Sequence, residues 1–290
     1  MKYIDPSISR KSVLIDDSVT SKNNILLPSL VEINESGICN RTCSFCPKSN
    51  PLYPNEKIFV SKKLIYKLCR ELSDLNYSGI FCFSGFCEPL LDKNIYSLVA
   101  IARDNLLDAK IELVTNGDAL NKKNMKKLFN AGLTTLLVSA YDGVEQVSYF
   151  EDMAKDIGID KRRVIIRPRY LPQDESFGIT LNNRSGMMAD AEYKIKPLTK
   201  PLVRRCNYPF YSFFMDYNGD VLLCAHDWGK KMIVGNIEKS SFLDIWNGKK
   251  FNYARSKLIK GNRELSPCNV CDVDGTIMGN AHVKNWKENY

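Results

Sequence analysis

Cys39, Cys43 and Cys46 fall in one short run, CNRTCSFC, directly after an apolar segment, and no other feature of the 290-residue chain limits its fold so tightly. With three residues between the first pair and two between the second, the loop brings three thiolates within reach of one iron–sulfur cluster. It offers no fourth ligand nearby, which leaves one iron open to a non-protein group. An open iron points to chemistry rather than to structure alone.

The loop sits in a regular alternation. Apolar runs suited to buried strands fall at about Leu30–Asn34, Gly79–Ser84, Lys110–Thr115, Thr134–Ala140 and Arg163–Arg169, bounded by Gly, Asn and Asp. Between them lie segments of helical period: Ser61–Leu75 with Ser61 as cap, Asn94–Asn105, Lys122–Ala131 and Val144–Asp156. This order predicts an α/β fold of parallel strands joined by right-handed crossovers, as an open sheet or as a full or partial barrel. In each case ligands collect at the carboxyl ends of the strands, where the three-cysteine loop would lie. Arg167 and Arg169 alternate on the fifth strand, so one of them is expected to face the interior.

From about Phe177 to Pro201 the pattern gives way to an irregular connection. Beyond it, YSFFMDYNGDVLLC reads as a hairpin turning at Asn218-Gly219 and opening a smaller second module, in which Ser241–Asn247 suits a short helix. Four cysteines fall there: Cys206, Cys224, Cys268 and Cys271, the last two as a C-x2-C pair. Such a set suits a structural zinc ion or an iron–sulfur cluster, and the three-cysteine loop elsewhere in the chain favours the cluster. Cys69 and Cys82, within a helix and a strand, read as small buried hydrophobes, and Cys87 reads as a buried thiol at the carboxyl end of the second strand.

Ten cysteines, clustered, argue for metal ligation over disulfides. The N-terminus is too polar for a secretory signal and no apolar run approaches a membrane span, so a cytoplasmic chain with no membrane association is expected. The net charge of +8 is densest at Lys122, Lys123, Lys126 and Lys127. These lysines alternate with Met125, Leu128 and Phe129 as on a solvated helix face, and no nucleic-acid-binding signature accompanies them.

The three-cysteine loop after the first strand, with Phe45 before its last cysteine, resembles the signature of radical S-adenosylmethionine enzymes. Gly85, Glu88 and Pro89 are similar to that family's glycine–glutamate–proline element, with Phe86 and Cys87 inserted. Cys206, Gly219 ahead of Cys224, GNIEKSSFLDIWNGKKF and the Cys268/Cys271 pair resemble the SPASM and twitch modules attached to many such enzymes. No cysteine follows Cys271, which is the one-cluster twitch pattern.

The resemblance implies a partial (β/α)6-type barrel over residues 25–185 and a twitch/SPASM-like domain over 200–290. It implies S-adenosylmethionine, a [4Fe-4S] cluster on Cys39, Cys43 and Cys46, and one auxiliary [4Fe-4S] cluster on Cys206, Cys224, Cys268 and Cys271. Phe45, Gly85, Glu88, Pro89, Thr115, Asn116, Ser139 and Arg167 would border the cofactor. The chemistry is a 5′-deoxyadenosyl radical that abstracts hydrogen, with the auxiliary cluster taking the second electron.

Among twitch relatives the chain looks most similar to aminocyclitol dehydrogenases, which oxidise a secondary alcohol. His226, with Asp227, and Arg169 are candidates for the proton-handling group. Two alternatives are a peptide-modifying maturase and an epimerase in which Cys87 returns the hydrogen. A sugar- or cyclitol-like small molecule or a peptide is the expected substrate, and a flavodoxin or ferredoxin-type protein the reductant. An electron carrier with no reaction of its own fits poorly with a site one ligand short.

Overall fold

The structure is a computed structural model that describes residues 5, 7–22, 24–188 and 197–286. The chain enters through helix α1 (Ser7–Asp17) and a two-residue ladder of β1 (Ser21–Lys22) against β2 (Ile25–Leu26). The five apolar runs then form β3 (Leu30–Asn34), β4 (Ile80–Phe83), β5 (Lys110–Thr115), β6 (Thr135–Ala140) and β7 (Val164–Pro168), paired in parallel and in sequence order. Crossovers α2 (Lys62–Asp74), α3 (Ile95–Asn105), α4 (Lys122–Asn130) and α5 (Glu145–Asp156) connect them. Caps start two of these helices: the Ser61 side chain accepts from the Leu64 N–H, and Asn121 from the Asn124 N–H.

The four-residue helix α6 (Tyr208–Tyr211) leads into β8 (Ser212–Asp216), which pairs in parallel with β3. The first strand of the expected hairpin is therefore the sixth parallel strand of the barrel sheet. β9 (Asp220–Leu222) and β10 (Ile233–Asn236) follow it in antiparallel. The sheet runs β10-β9-β8-β3-β4-β5-β6-β7 with β10 and β7 at its edges, a partial (β/α)6 barrel with an antiparallel extension. Helices α7 (Phe242–Trp246), α8 (Lys249–Leu258) and α9 (Asn280–Trp286) complete the fold. The expected irregular connection holds 3-10 turns at Gln173–Gly178 and Arg184–Gly186, and residues 189–196 lie outside the described part. Among the described residues no helix is long and apolar enough to cross a membrane.

The strand alternation separates two environments. Val31, Ile33, Phe81, Phe83, Ile111, Leu113, Leu136 and Val138 pack outward into the main hydrophobic core with the helices. Glu32, Cys82, Ser84, Glu112, Ser139 and Arg167 point inward to a cavity. Burial on both faces makes these strands read as near-continuous runs, while every second inward position is free to be polar.

Helix α1 lines the same cavity, and the carboxyl end of the chain holds it there. His282 of α9 is fully buried, with Nε2 2.5 Å from the Ser29 hydroxyl, which also donates to the Ile15 carbonyl at 2.9 Å. Burial holds the His282 imidazole down to about 4. An unfolded chain binds this proton below about pH 6.5 and the folded chain only near pH 4, so stability is complete above that window and falls as pH drops through it. The loss amounts to about 3 kcal/mol across the window. Urea midpoints of the wild type should fall over that range, and His282→Gln should flatten the slope; equal slopes would contradict this assignment.

Candidate active site

A cavity of about 530 Å³ opens at the carboxyl ends of the parallel strands, and Cys39, Cys43 and Cys46 stand on its wall. Their loop is held by polar groups rather than by regular structure. The Lys48 ammonium donates to the carbonyls of Gly37 at 2.8 Å and Pro54 at 3.0 Å and to Asn55 Oδ1 at 3.0 Å, while the Cys39 N–H donates to the same Asn55 oxygen at 2.9 Å. Arg41, between the first two cysteines, donates from Nε to Asp118 at 2.8 Å and from Nη1 to Asp142 at 2.8 Å. It also stacks on Tyr141 with its guanidinium carbon 4.7 Å from the ring centre. Asp118 follows β5 and Asp142 follows β6, so one guanidinium ties the cysteine loop to two strand ends.

Arg41→Ala should therefore loosen the loop without removing a thiol. The expected result is a roughly tenfold loss of S-adenosylmethionine cleavage with faster iron loss to a chelator, since two charge-assisted contacts disappear. Unchanged iron retention would contradict the tether.

None of the ten cysteines is in a disulfide. Burial pushes the Cys43 thiol up to about 12, reinforced by the neighbouring charges of Cys46 and Cys39; Cys39 is raised mainly by burial, as is Cys46. Three half-buried thiols in one short loop resist ionising together unless positive charge sits among them, which is what cluster iron would provide. Among the described residues no three His, Cys, Asp or Glu side chains crowd closely enough for a single metal ion. Three thiolates in one loop with no fourth protein ligand beside them suit a cluster with one open iron better than a closed four-ligand zinc site.

The glycine–glutamate–proline element lies beside this loop. Gly85 has φ +124°, and a β-carbon there would sit 2.9 Å from Asn34 Oδ1, so only glycine lets the Phe86 N–H donate to that oxygen at 2.7 Å. Buried Glu88 accepts from Thr115 Oγ1 at 2.6 Å, the Asn116 N–H at 2.7 Å and the Leu90 N–H at 3.0 Å. Its carboxyl is still raised to about 7, because burial outweighs those bonds. Pro89 is not on the cavity wall; it opens the 3-10 turn Pro89–Leu91 that aims Glu88. Phe45 packs 6.2 Å from Tyr141 and 5.1 Å from Phe177, closing one side with aromatic rings. Arg167 lines the cavity and donates to Ser139 Oγ at 2.8 Å.

The candidate proton and hydrogen donors are placed differently. Arg169 also lines the cavity, contrary to the expectation that only one arginine would, because positions two apart on an extended chain share a face and the backbone just past Pro168 keeps that direction. Its guanidinium is committed to Asp5 at 2.5 Å and to the carbonyls of Gly178 at 2.5 Å and Pro168 at 2.8 Å. That makes it a fastener for the N-terminal segment. Cys87 lines the cavity and donates to Glu35 at 3.1 Å; burial raises its thiol well above the usual range and pushes Glu35 to about 8. His226 faces the cavity with Nε2 2.8 Å from the Tyr208 hydroxyl, while Asp227 turns away to accept from the backbone of Lys231 and Met232.

Behind the Tyr208–His226 pair lie the other four cysteines. Burial raises the Cys224 thiol most, and the charges of Cys268, Cys206 and Cys271 add to it, so the four converge on one space. Buried Arg263 donates to the carbonyls of Arg204, Arg205, Val273 and Asp274 and fixes the loops that carry them. Gly275, at φ +79°, admits no β-carbon, which would lie 2.8 Å from Cys206 Sγ. Arg41, Lys48, Tyr141, Tyr208 and Arg263 gave no signal in the sequence, because each acts through partners distant along the chain.

Comparison with known proteins agrees with this geometry. Residues 33–166 match the radical SAM superfamily and residues 206–272 the SPASM iron–sulfur cluster-binding domain. The chain is 29% identical over 248 residues to the S-adenosyl-L-methionine-dependent 2-deoxy-scyllo-inosamine dehydrogenase of Niallia circulans, covering 84% of this chain and 92% of that protein. The crystal structure of BtrN in complex with AdoMet and 2-DOIA superimposes with a TM-score of 0.73 at 27% identity, over 89% of this chain and 98% of that one. The anSMEcpe structure with bound AdoMet shares the fold, at a TM-score of 0.52 and 14% identity, over 89% of this chain and 92% of that one. The chain carries a radical S-adenosylmethionine superfamily domain followed by a SPASM iron–sulfur cluster-binding domain.

Proposed function

We propose that this enzyme oxidises a secondary alcohol of a small hydroxylated ring, an aminocyclitol or sugar, to the ketone. The observation that carries the reading is one cavity bounded on one side by the three-cysteine loop and on the other by the Tyr208–His226 pair in front of the four-cysteine group. Cys39, Cys43 and Cys46 then hold the first [4Fe-4S] cluster, and Cys206, Cys224, Cys268 and Cys271 the second. Phe45, Gly85, Glu88, Thr115, Asn116, Ser139 and Arg167 border S-adenosylmethionine. Bound there, cluster and cofactor would supply the radical chemistry that removes a hydrogen atom from the substrate carbon.

The chain's own residues complete the oxidation. Loss of the hydroxyl proton and of one electron leaves the C=O bond, and His226 is placed to take that proton, with Tyr208 orienting its ring. The electron has an exit beside them, since Cys224 lies two residues from His226 and Cys206 two from Tyr208. Phe45, Tyr141 and Phe177 screen the reacting carbon from water. A cavity of about 530 Å³ suits a ring rather than a peptide chain. With the Cys87 hydrogen held by Glu35, oxidation is favoured over a reaction that returns hydrogen to the substrate.

A flavodoxin or ferredoxin-type protein supplies the starting electron. Anaerobic turnover of 2-deoxy-scyllo-inosamine with S-adenosylmethionine and dithionite should give a ring lighter by two hydrogens, with one 5′-deoxyadenosine per ketone. An isomer of unchanged mass, or 5′-deoxyadenosine with no altered ring, would sink the dehydrogenase reading.

A further inference from the structure

Five carboxylates among the described residues reach the cavity wall, and the protein answers four of them. Asp5 pairs with Arg169 and Glu112 with Arg10 of α1, each at 2.5 Å. Asp274 pairs with Arg204, and Glu88 accepts three hydrogen bonds.

Glu32 is different. It is only 9% exposed, accepts one bond, from Ser84 Oγ at 2.5 Å, and has no ion-pair partner among the described residues. Its neighbours in the sheet, Cys82 on β4 and Phe214 on β8, bring no cation to it. Lys11 faces the same cavity from α1 without pairing with it. A carboxylate held this far from bulk water costs stability unless a positive group meets it, and Arg10, which faces the same cavity, is spent on Glu112 instead. Tyr208, the partner of His226, lies near enough to feel the Glu32 charge, so this carboxylate and the candidate proton acceptor share one end of the cavity.

We propose that Glu32 is a subsite for a protonated amine on the substrate, which makes the enzyme select an amino-substituted ring over its hydroxyl counterpart. The inference rests on the reading of this cavity as the substrate site. Both an ammonium and a hydroxyl can donate to a buried carboxylate, but only the ammonium adds an opposite charge to the bond, a preference of about tenfold or more.

The test is calorimetric titration of the anaerobic holoenzyme, loaded with S-adenosylmethionine, against 2-deoxy-scyllo-inosamine and the same ring with hydroxyl in place of the amine. Wild type should bind the amine at least about tenfold more tightly. Glu32→Gln should bring the two within about twofold, and Glu32→Asp, which keeps the charge, should retain part of the preference. Full iron content in each variant confirms that the fold is intact. Equal affinities in the wild type, a preference that survives Glu32→Gln, or binding of neither ring overturns the subsite. An amine preference that is lost in Glu32→Gln while no ketone forms keeps the subsite and defeats the oxidation; ketone formation without the preference does the reverse.

Discussion

Cys43→Ala will abolish 5′-deoxyadenosine formation, by about a thousandfold or to background, and remove roughly half of the iron. Cys43 is the middle cysteine of a loop whose other polar contacts anchor Gly37, Cys39 and Arg41, so the change removes a thiol while the loop keeps its tethers. Two thiolates on this wall leave the cluster with too few protein ligands to persist. The iron that remains should belong to Cys206, Cys224, Cys268 and Cys271, which converge behind Tyr208 and His226. Anaerobic iron and sulfide analysis beside a 5′-deoxyadenosine assay checks both parts. A variant that keeps its full iron, or cleaves the cofactor at the wild-type rate, would show that this loop does not hold the reactive cluster.

Cys224→Ala gives the complementary result. It should leave cofactor cleavage within about threefold of wild type and lower ketone formation about a hundredfold, because the hydrogen atom is still taken but the second electron has no acceptor. Cleavage would then run uncoupled, with substrate radicals quenched or returned. Cys224 lies close enough to its three partners to feel their charges, so loss of the second cluster should also loosen the loops that Arg263 holds. Cys268→Ala attacks the same cluster from the 3-10 turn Cys268–Val270 and should reproduce the uncoupling. If either variant forms ketone at the wild-type rate, the four-cysteine group is structural and the electron goes elsewhere.

Much of this architecture was legible because its signals are local. The three-cysteine spacing, the period of two in the strands and the period of three to four in α2 and α4 are short-range patterns, and they placed β3 to β7 to within a residue or two. Parts that depend on distant pairing were not legible. Ser212–Asp216 reads as one arm of a hairpin, and only its parallel contact with β3, far away in sequence, makes it a barrel strand. Helix α1 buries a single side chain, Ile15, so its pattern carries little amphipathic signal, yet its Arg10 neutralises Glu112 inside the barrel.

The same divide runs through the site. Cys39, Cys43 and Cys46 could be found by spacing, and Gly85 with Glu88 by their place after a strand. Arg169 is attractive as an inward arginine until Asp5 is seen to hold it, and Pro89 until it is seen to open the turn that caps on Glu88 without itself lining the cavity. Glu32 looks like one polar residue in an apolar run, and its meaning emerges only when every other carboxylate on the wall is found to have its partner.

The central claim is that a radical made at the three-cysteine loop takes hydrogen from an alcohol carbon of a small ring held in this cavity. Its most direct test is single-turnover reaction of the anaerobic enzyme with an aminocyclitol deuterated at each secondary alcohol carbon in turn. One labelled position should deliver deuterium into 5′-deoxyadenosine in equal amount with the ketone formed at that carbon. Deuterium that stays in the ring while 5′-deoxyadenosine accumulates would contradict it.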